Sequence, residues 1–134
     1  MDWIDECRDK CRKIKFIASE FEWAEKPSRS SYLVASSDLL DENLATIKGL
    51  YLTGEYRALR KGRGSITSIA LQYYWQPSEL RRVFMIESYP NYMPSHRDEV
   101  VGQIYGPHLH LGDPRLGQVV KDLCSPGEDA PFSY

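Results

Sequence analysis

No stretch of the chain approaches the roughly 20 consecutive apolar residues that a membrane-spanning helix requires. Charge of one sign is equally lacking: seventeen basic and nineteen acidic side chains leave a formal net charge of -2. The first absence argues against a membrane partner. The second removes any global field that would draw the chain to nucleic acid or anionic lipid, so binding of that kind must be local. Cysteine is scarce too. Cys7, Cys11 and Cys124 are odd in number and show no zinc-finger pairing, which fits a reducing compartment better than a secreted disulfide framework. The opening residues MDWIDECRDK lack the basic start and apolar run of a signal peptide, so a cytoplasmic location is expected. No Walker, G-x-G-x-x-G, H-E-x-x-H or G-x-S-x-G pattern occurs, which leaves nucleotide-fold enzymes, zincins and α/β-hydrolases without support.

What is present reads as one folded unit. A chain of 134 residues that is 42% apolar and 27% charged has the size and balance of a single globular domain with one core. The spacing predicts an α+β domain over 1–134, with a helical part at 1–48, a sheet part at 49–112, and a C-terminal helix and tail at 113–134. Ile4, Cys7, Cys11, Ile14, Ala18 and Phe21 recur at steps of three and four, predicting a helix over 2–25 that Pro27 ends. Leu33, Leu40, Leu44 and Ile47 suggest a second helix closed by Gly49; a short strand at 32–35 followed by a helix from Asp38 is the alternative. From Leu50 the period changes to two. Segments 50–60, 66–75 and 83–89, separated by KGRGS and QPSELRR, predict strands of an antiparallel meander of about four strands, against which the N-terminal helices pack. YPNYMPSHRDE reads as a loop, VVGQIY as extended, and 107–111 as a further strand. Leu116, Val119, Val120 and Leu123 fit a helix over 115–123.

All three histidines, His96, His108 and His110, fall between residues 96 and 110. If 107–111 is extended, His108 and His110 share one face while Leu109 and Leu111 point into the core. An H-x-H pair on a strand can chelate a divalent metal such as zinc, with His96 completing a three-nitrogen set that leaves a position for water. Without metal, the same imidazoles suit general acid–base cleavage of a phosphodiester, because their ordinary pKa lies near neutrality. The bland alternative is a set of exposed histidines bonded to nearby carboxylates. A second feature is basic and aromatic: Arg57, Arg60, Lys61 and Arg63 near one turn, Arg81 and Arg82 near the next, and Tyr56, Tyr73, Tyr74 and Trp75 between. Phosphate-binding cations beside stacking aromatics are how many sheets hold single-stranded RNA, although basic turns and aromatic strands also serve solubility and core packing. Cys124, in KDLCSPGED, is either a nucleophile or the last buried residue of the C-terminal helix.

The order IALQYYWQPSELRRVFMIESYP, a loop, and GPHLHLGD resembles the TumE-type toxins of bacterial toxin–antitoxin pairs. That resemblance implies a toxin or defence role in a bacterial or phage setting, a cognate protein partner, and His108 and His110 as the positions carried over. YPNYMP, IYGPHLHLG and the later Leu-Cys, behind an N-terminal helix and a meander, are similar to the ubiquitin-conjugating fold, which implies that Cys124 is a thioester cysteine. The expectations are therefore a hydrolase, His- or metal-dependent, using His96, His108 and His110 on RNA or another phosphodiester held by Arg57, Arg60 and Tyr74. The alternative is a non-enzymatic inhibitor or interaction module that binds a protein through its Tyr-rich sheet face.

Overall fold

The computed structural model describes residues 2–27, 29–98, 102–113 and 117–122, with the backbone alone at 29–30, 96–98 and 117–122. One helix, α1 (Trp3–Arg12), is followed by ten strands: β1 (Phe16–Ile17), β2 (Ala24–Lys26), β3 (Arg29–Leu40), β4 (Thr46–Ala58), β5 (Ser65–Gln76), β6 (Glu79–Ser88), β7 (Pro94–Asp98), β8 (Gly102–Tyr105), β9 (His108–Asp113) and β10 (Gly117–Asp122). Eight of the strands form one antiparallel sheet in the order β1-β3-β4-β5-β6-β9-β10, with β2 also on β3, while β7 and β8 form a separate hairpin. The described chain is therefore mostly β, and the expected α+β arrangement of several helices on about four strands is corrected on both counts.

The helix begins as the sequence predicts but ends far sooner. Asp2 caps it, accepting a hydrogen bond from the Asp5 amide at 2.9 Å, and Asp5 and Glu6 lie in its first turn, where carboxylates complement the helix dipole. Trp3 and Cys7 are buried, and the backbone turns extended at Lys13. Residues 13–25 are not helical: Phe16 and Ile17 pair with Leu40 and Leu39. Aromatic and β-branched residues lose side-chain freedom in a helix, and the edge of β3 offers their backbone a ladder instead. Pro27 sits in the turn between β2 and β3 rather than at a helix end.

The second expected helix, over 33–49, is instead the hairpin of β3 and β4. Ala35, Ser37 and Leu39 are buried in alternation, a period of two that the leucine spacing disguised. Asp41 makes the turn: its carboxylate accepts from the amides of Asn43 and Ala45 at 2.8 and 3.0 Å, and Leu44 takes a positive φ of 63°. The expected strands at 50–60, 66–75, 83–89 and 107–111 correspond to β4, β5, β6 and β9. Part of the expected loop over 89–99 is strand β7, which pairs with β8. The third expected helix, over 115–123, is replaced across 117–122 by β10, whose Val119 and Val120 stand opposite Leu111 and His110; paired with β9, it continues the sheet. Leu116, Leu123 and Cys124 lie outside the described residues.

Cross-strand partners share a face, so the register sorts the sheet into two sides. Leu52, Leu71, Phe84 and Leu111 form one row, and α1 packs on this side: Trp3 and Cys7 join Leu39, Leu50, Leu71, Val83 and Leu111 in the main cluster. Fully burying each such leucine contributes about 1.5–3 kcal/mol relative to leaving it in water. Farther along the same side, Phe21 and Trp23 meet edge to face at 5.8 Å. A Cβ on Gly54 would stand 2.7 Å from the Trp23 ring and 3.2 Å from Phe21, so the absent side chain at Gly54 makes room for them.

Candidate functional site

On the opposite side of the sheet, one row runs Glu55, Ser68, Glu87, His108 and the next runs Thr53, Ala70, Met85, His110. Glu87 on β6 and the two histidines on β9 consequently converge. The Glu87 carboxylate oxygen Oε1 lies 2.9 Å from His110 Nε2 and 3.4 Å from His108 Nε2. Both imidazoles are 0% exposed, and their rings meet edge to face at 4.8 Å between centroids. The three ligand-type atoms all lie within 4.8 Å of one another.

The orientation of His108 is set from behind. Its Nδ1 lies 2.9 Å from the carbonyl oxygen of Gly106 and 3.3 Å from Ser95 Oγ. A carbonyl only accepts, so Nδ1 carries a proton and Nε2 is turned toward Glu87, to which it donates when the ring is protonated and beside which it presents a lone pair when the ring is neutral. Gly106 reaches this position with φ of +69°, and a Cβ there would lie 2.9 Å from Asn91 Oδ1 and 3.3 Å from its Cα, so both backbone and space favour glycine. Ser95, on β7, also donates to the Ile104 carbonyl at 3.1 Å, which ties the small hairpin to the cluster.

The electrostatics are those of a strongly engaged carboxylate. Burial alone would push the Glu87 carboxyl up, but hydrogen bonds from His108 and His110, together with their charge, outweigh it and hold the group well below the usual carboxylate range. Burial, then the Glu87 charge, pushes the Tyr89 phenol above the ordinary value. Glu87 and Tyr89 form one wall of a cleft of about 200 Å³ whose other walls include Tyr32, Glu55, Arg57 and Ser68. Tyr32 donates to Glu55 at 2.8 Å. Pockets that enclose a drug-sized ligand run to roughly 300–1,000 Å³, so this cleft suits one functional group of a longer substrate.

Of the residues singled out from the sequence, His108 and His110 are brought together, and Arg57 lines the cleft beside them. Arg60 is exposed in the 3-10 turn Arg60–Gly62, just past the Arg57 end of β4. Tyr74 lies on the same side of the sheet, against Tyr51 at 5.7 Å, but six residues along β5 from Ser68, or roughly 20 Å at strand spacing. His96 has its Cα opposite Ile104 on the β7–β8 hairpin, and its side chain lies outside the described residues. Sequence reasoning did not select Glu87. Its signal was a carboxylate directly after the apolar run Val83, Phe84, Met85 and Ile86, where a charge requires a partner. Cys7 and Cys11 are thiols in the helix packing; burial pushes them up to about 12 and about 11.

No family model matches the chain, and neither the curated proteins nor the solved structures give a match. No helix among the described residues is long and apolar enough to cross a membrane.

Proposed function

We propose that the protein is a hydrolase that cleaves a phosphodiester, with RNA as the substrate class, on the sheet face carrying Glu87, His108 and His110. The observation that carries this reading is the convergence of two buried imidazoles on a half-buried carboxylate, Glu87, that itself lines a cleft with Arg57. Arg60, Lys61 and Arg63 follow directly beyond the end of β4, so a strand of phosphates entering from that turn meets cations before it meets the cluster. Arg57 binds the scissile phosphate, and the cluster activates water. The water oxygen bonds to phosphorus, its proton leaves to the site, the ester P–O bond breaks, and the departing oxygen is protonated. A toxin or defence role, with a protein partner that restrains the activity, fits the TumE-type resemblance.

The test is incubation of purified protein with labelled single-stranded RNA, alongside His110→Ala and Arg57→Ala. Cleavage that falls by 100-fold or more in the first variant and about 10-fold or more in the second is expected, on the scale typical of lost acid–base and positioning groups. Intact RNA under all conditions, or equal cleavage by all three proteins, would sink the reading.

A second reading rests on Tyr92 and Tyr105, which are 58% and 50% exposed. Exposed tyrosines anchor protein interfaces, so a protein-binding inhibitor would use this surface and leave the histidines to structure. Capture of a partner that is lost in Tyr92→Ala and retained in His110→Ala separates it from the hydrolase.

A further inference from the structure

We infer that Glu87, His108 and His110 form a binding site for a single zinc-class divalent cation, held by Glu87 Oε1 and the two Nε2 atoms with a remaining position open toward the Arg57 cleft. The inference deepens the hydrolase reading and rests on it for the role of the ion, whereas binding itself is measured apart from activity.

Four observations lead there. Two imidazoles and a carboxylate are a recurrent ligand set for catalytic zinc, with water as the fourth ligand. Bonds of about 2.0–2.2 Å place the corners of a tetrahedron roughly 3.3 Å apart, and Glu87 Oε1 already stands 2.9 and 3.4 Å from the two nitrogens. His108 has the support that metal-bound histidines have, with Nδ1–H directed to a backbone carbonyl, that of Gly106 at 2.9 Å, so that Nε2 is presented as a base. Finally, the cleft holds two carboxylates, Glu55 and Glu87, against one guanidinium, Arg57, a balance that repels an anionic substrate until further positive charge arrives. A dication supplies it and lowers the pKa of its bound water toward neutrality. Both imidazoles are fully buried, so the position left for water opens on the Glu87 side, where the cleft lies.

Binding displaces the Nε2 protons, so zinc uptake releases acid. The experiment takes the chain stripped with chelator, adds zinc chloride, and follows three readouts: zinc per chain after gel filtration, proton release in weak buffer, and the imidazole nitrogen NMR signals of the unmodified protein. The expected result is about one zinc per chain, with Nε2 of two buried histidines shifted and the Nδ1–H of His108 retained. His110→Ala and Glu87→Gln, each checked for native fold by circular dichroism, should weaken binding on the order of 100-fold. The NMR readout uses the wild-type chain, so it decides even if a variant does not fold. Zinc uptake without RNA cleavage would uphold the site and remove only the hydrolase. Failure to take up zinc, uptake that leaves those nitrogens unmoved, or preferential binding of iron would overturn the inference.

Discussion

Glu87 and His110 meet at 2.9 Å although neither stands opposite the other: Glu87 is paired with His108 across the β6–β9 ladder, and His110 with Met85. The contact is diagonal, and it lets one carboxylate serve two imidazoles that are themselves two residues apart on a strand. Charge-assisted hydrogen bonds of this kind are short and strong.

Replacing that carboxylate by its neutral isostere isolates the charge. Glu87→Gln in metal-free protein is expected to lower stability by about 1–3 kcal/mol, the usual range for buried bonds to a charged group. Urea unfolding at neutral pH in the presence of chelator measures it. An unchanged midpoint at equal slope would mean that the carboxylate contributes no net stability.

Gly106 is the hinge on which His108 is set. Gly106→Ala must place a side chain at positive φ and within 2.9 Å of Asn91 Oδ1, an arrangement that costs about 1–2 kcal/mol from the backbone alone. The nitrogen NMR spectrum of His108 should show loss of the fixed Nδ1–H form along with the drop in thermal stability. A stable variant with the same tautomer would show that the carbonyl is not what orients the ring.

On the helix side, Gly54→Val tests the packing of the segment after α1. The added methyls collide with Trp23 and Phe21, and overpacking of this sort costs roughly 1–3 kcal/mol. Tryptophan fluorescence during denaturation should report a lower midpoint and a changed native signal from Trp23. Equal stability would indicate that the two rings move aside freely.

The thiols give a pH dependence. Cys7 and Cys11 ionise in the folded chain at about 12 and about 11, against 9.0 for the ordinary thiol. Because the folded state holds these protons more tightly, the stability they confer is complete below pH 9 and declines as pH rises toward 11 and 12. In a Cys124→Ala background, aromatic-disulfide labelling at pH 8 should be slow in native protein and fast in urea. Rapid labelling of two thiols without denaturant would contradict the buried placement.

Much of the sheet was legible because β4, β5 and β6 are rich in β-branched and aromatic residues bounded by turn residues, and β9 alternates His and Leu. That alternation also placed His108 and His110 on one face. The helix expected over 33–49 arose because Leu33, Leu40, Leu44 and Ile47 satisfy a helical spacing by coincidence, while the turn chemistry of Asp41 and Asn43 was the stronger determinant. Residues 117–122 were misjudged for a different reason: Val119 and Val120 gain from pairing with β9, a tertiary effect that local propensity does not contain. Glu87 escaped because its meaning depends on two histidines 21 and 23 residues away in sequence.

The imidazoles and the leucines of β9 alternate along its first four residues, His108 and His110 toward Glu87, Leu109 and Leu111 toward the side of the sheet on which α1 packs. Sliding this strand by one position against β6 would exchange the two sets, burying imidazoles under the helix and presenting leucines to the cleft. An inserted or deleted residue in the β8–β9 connection therefore threatens core and site in one stroke. The oily side of the strand acts as a proofreader for the polar side: a chain whose leucines have found the helix has, by that fact, delivered both histidines to Glu87.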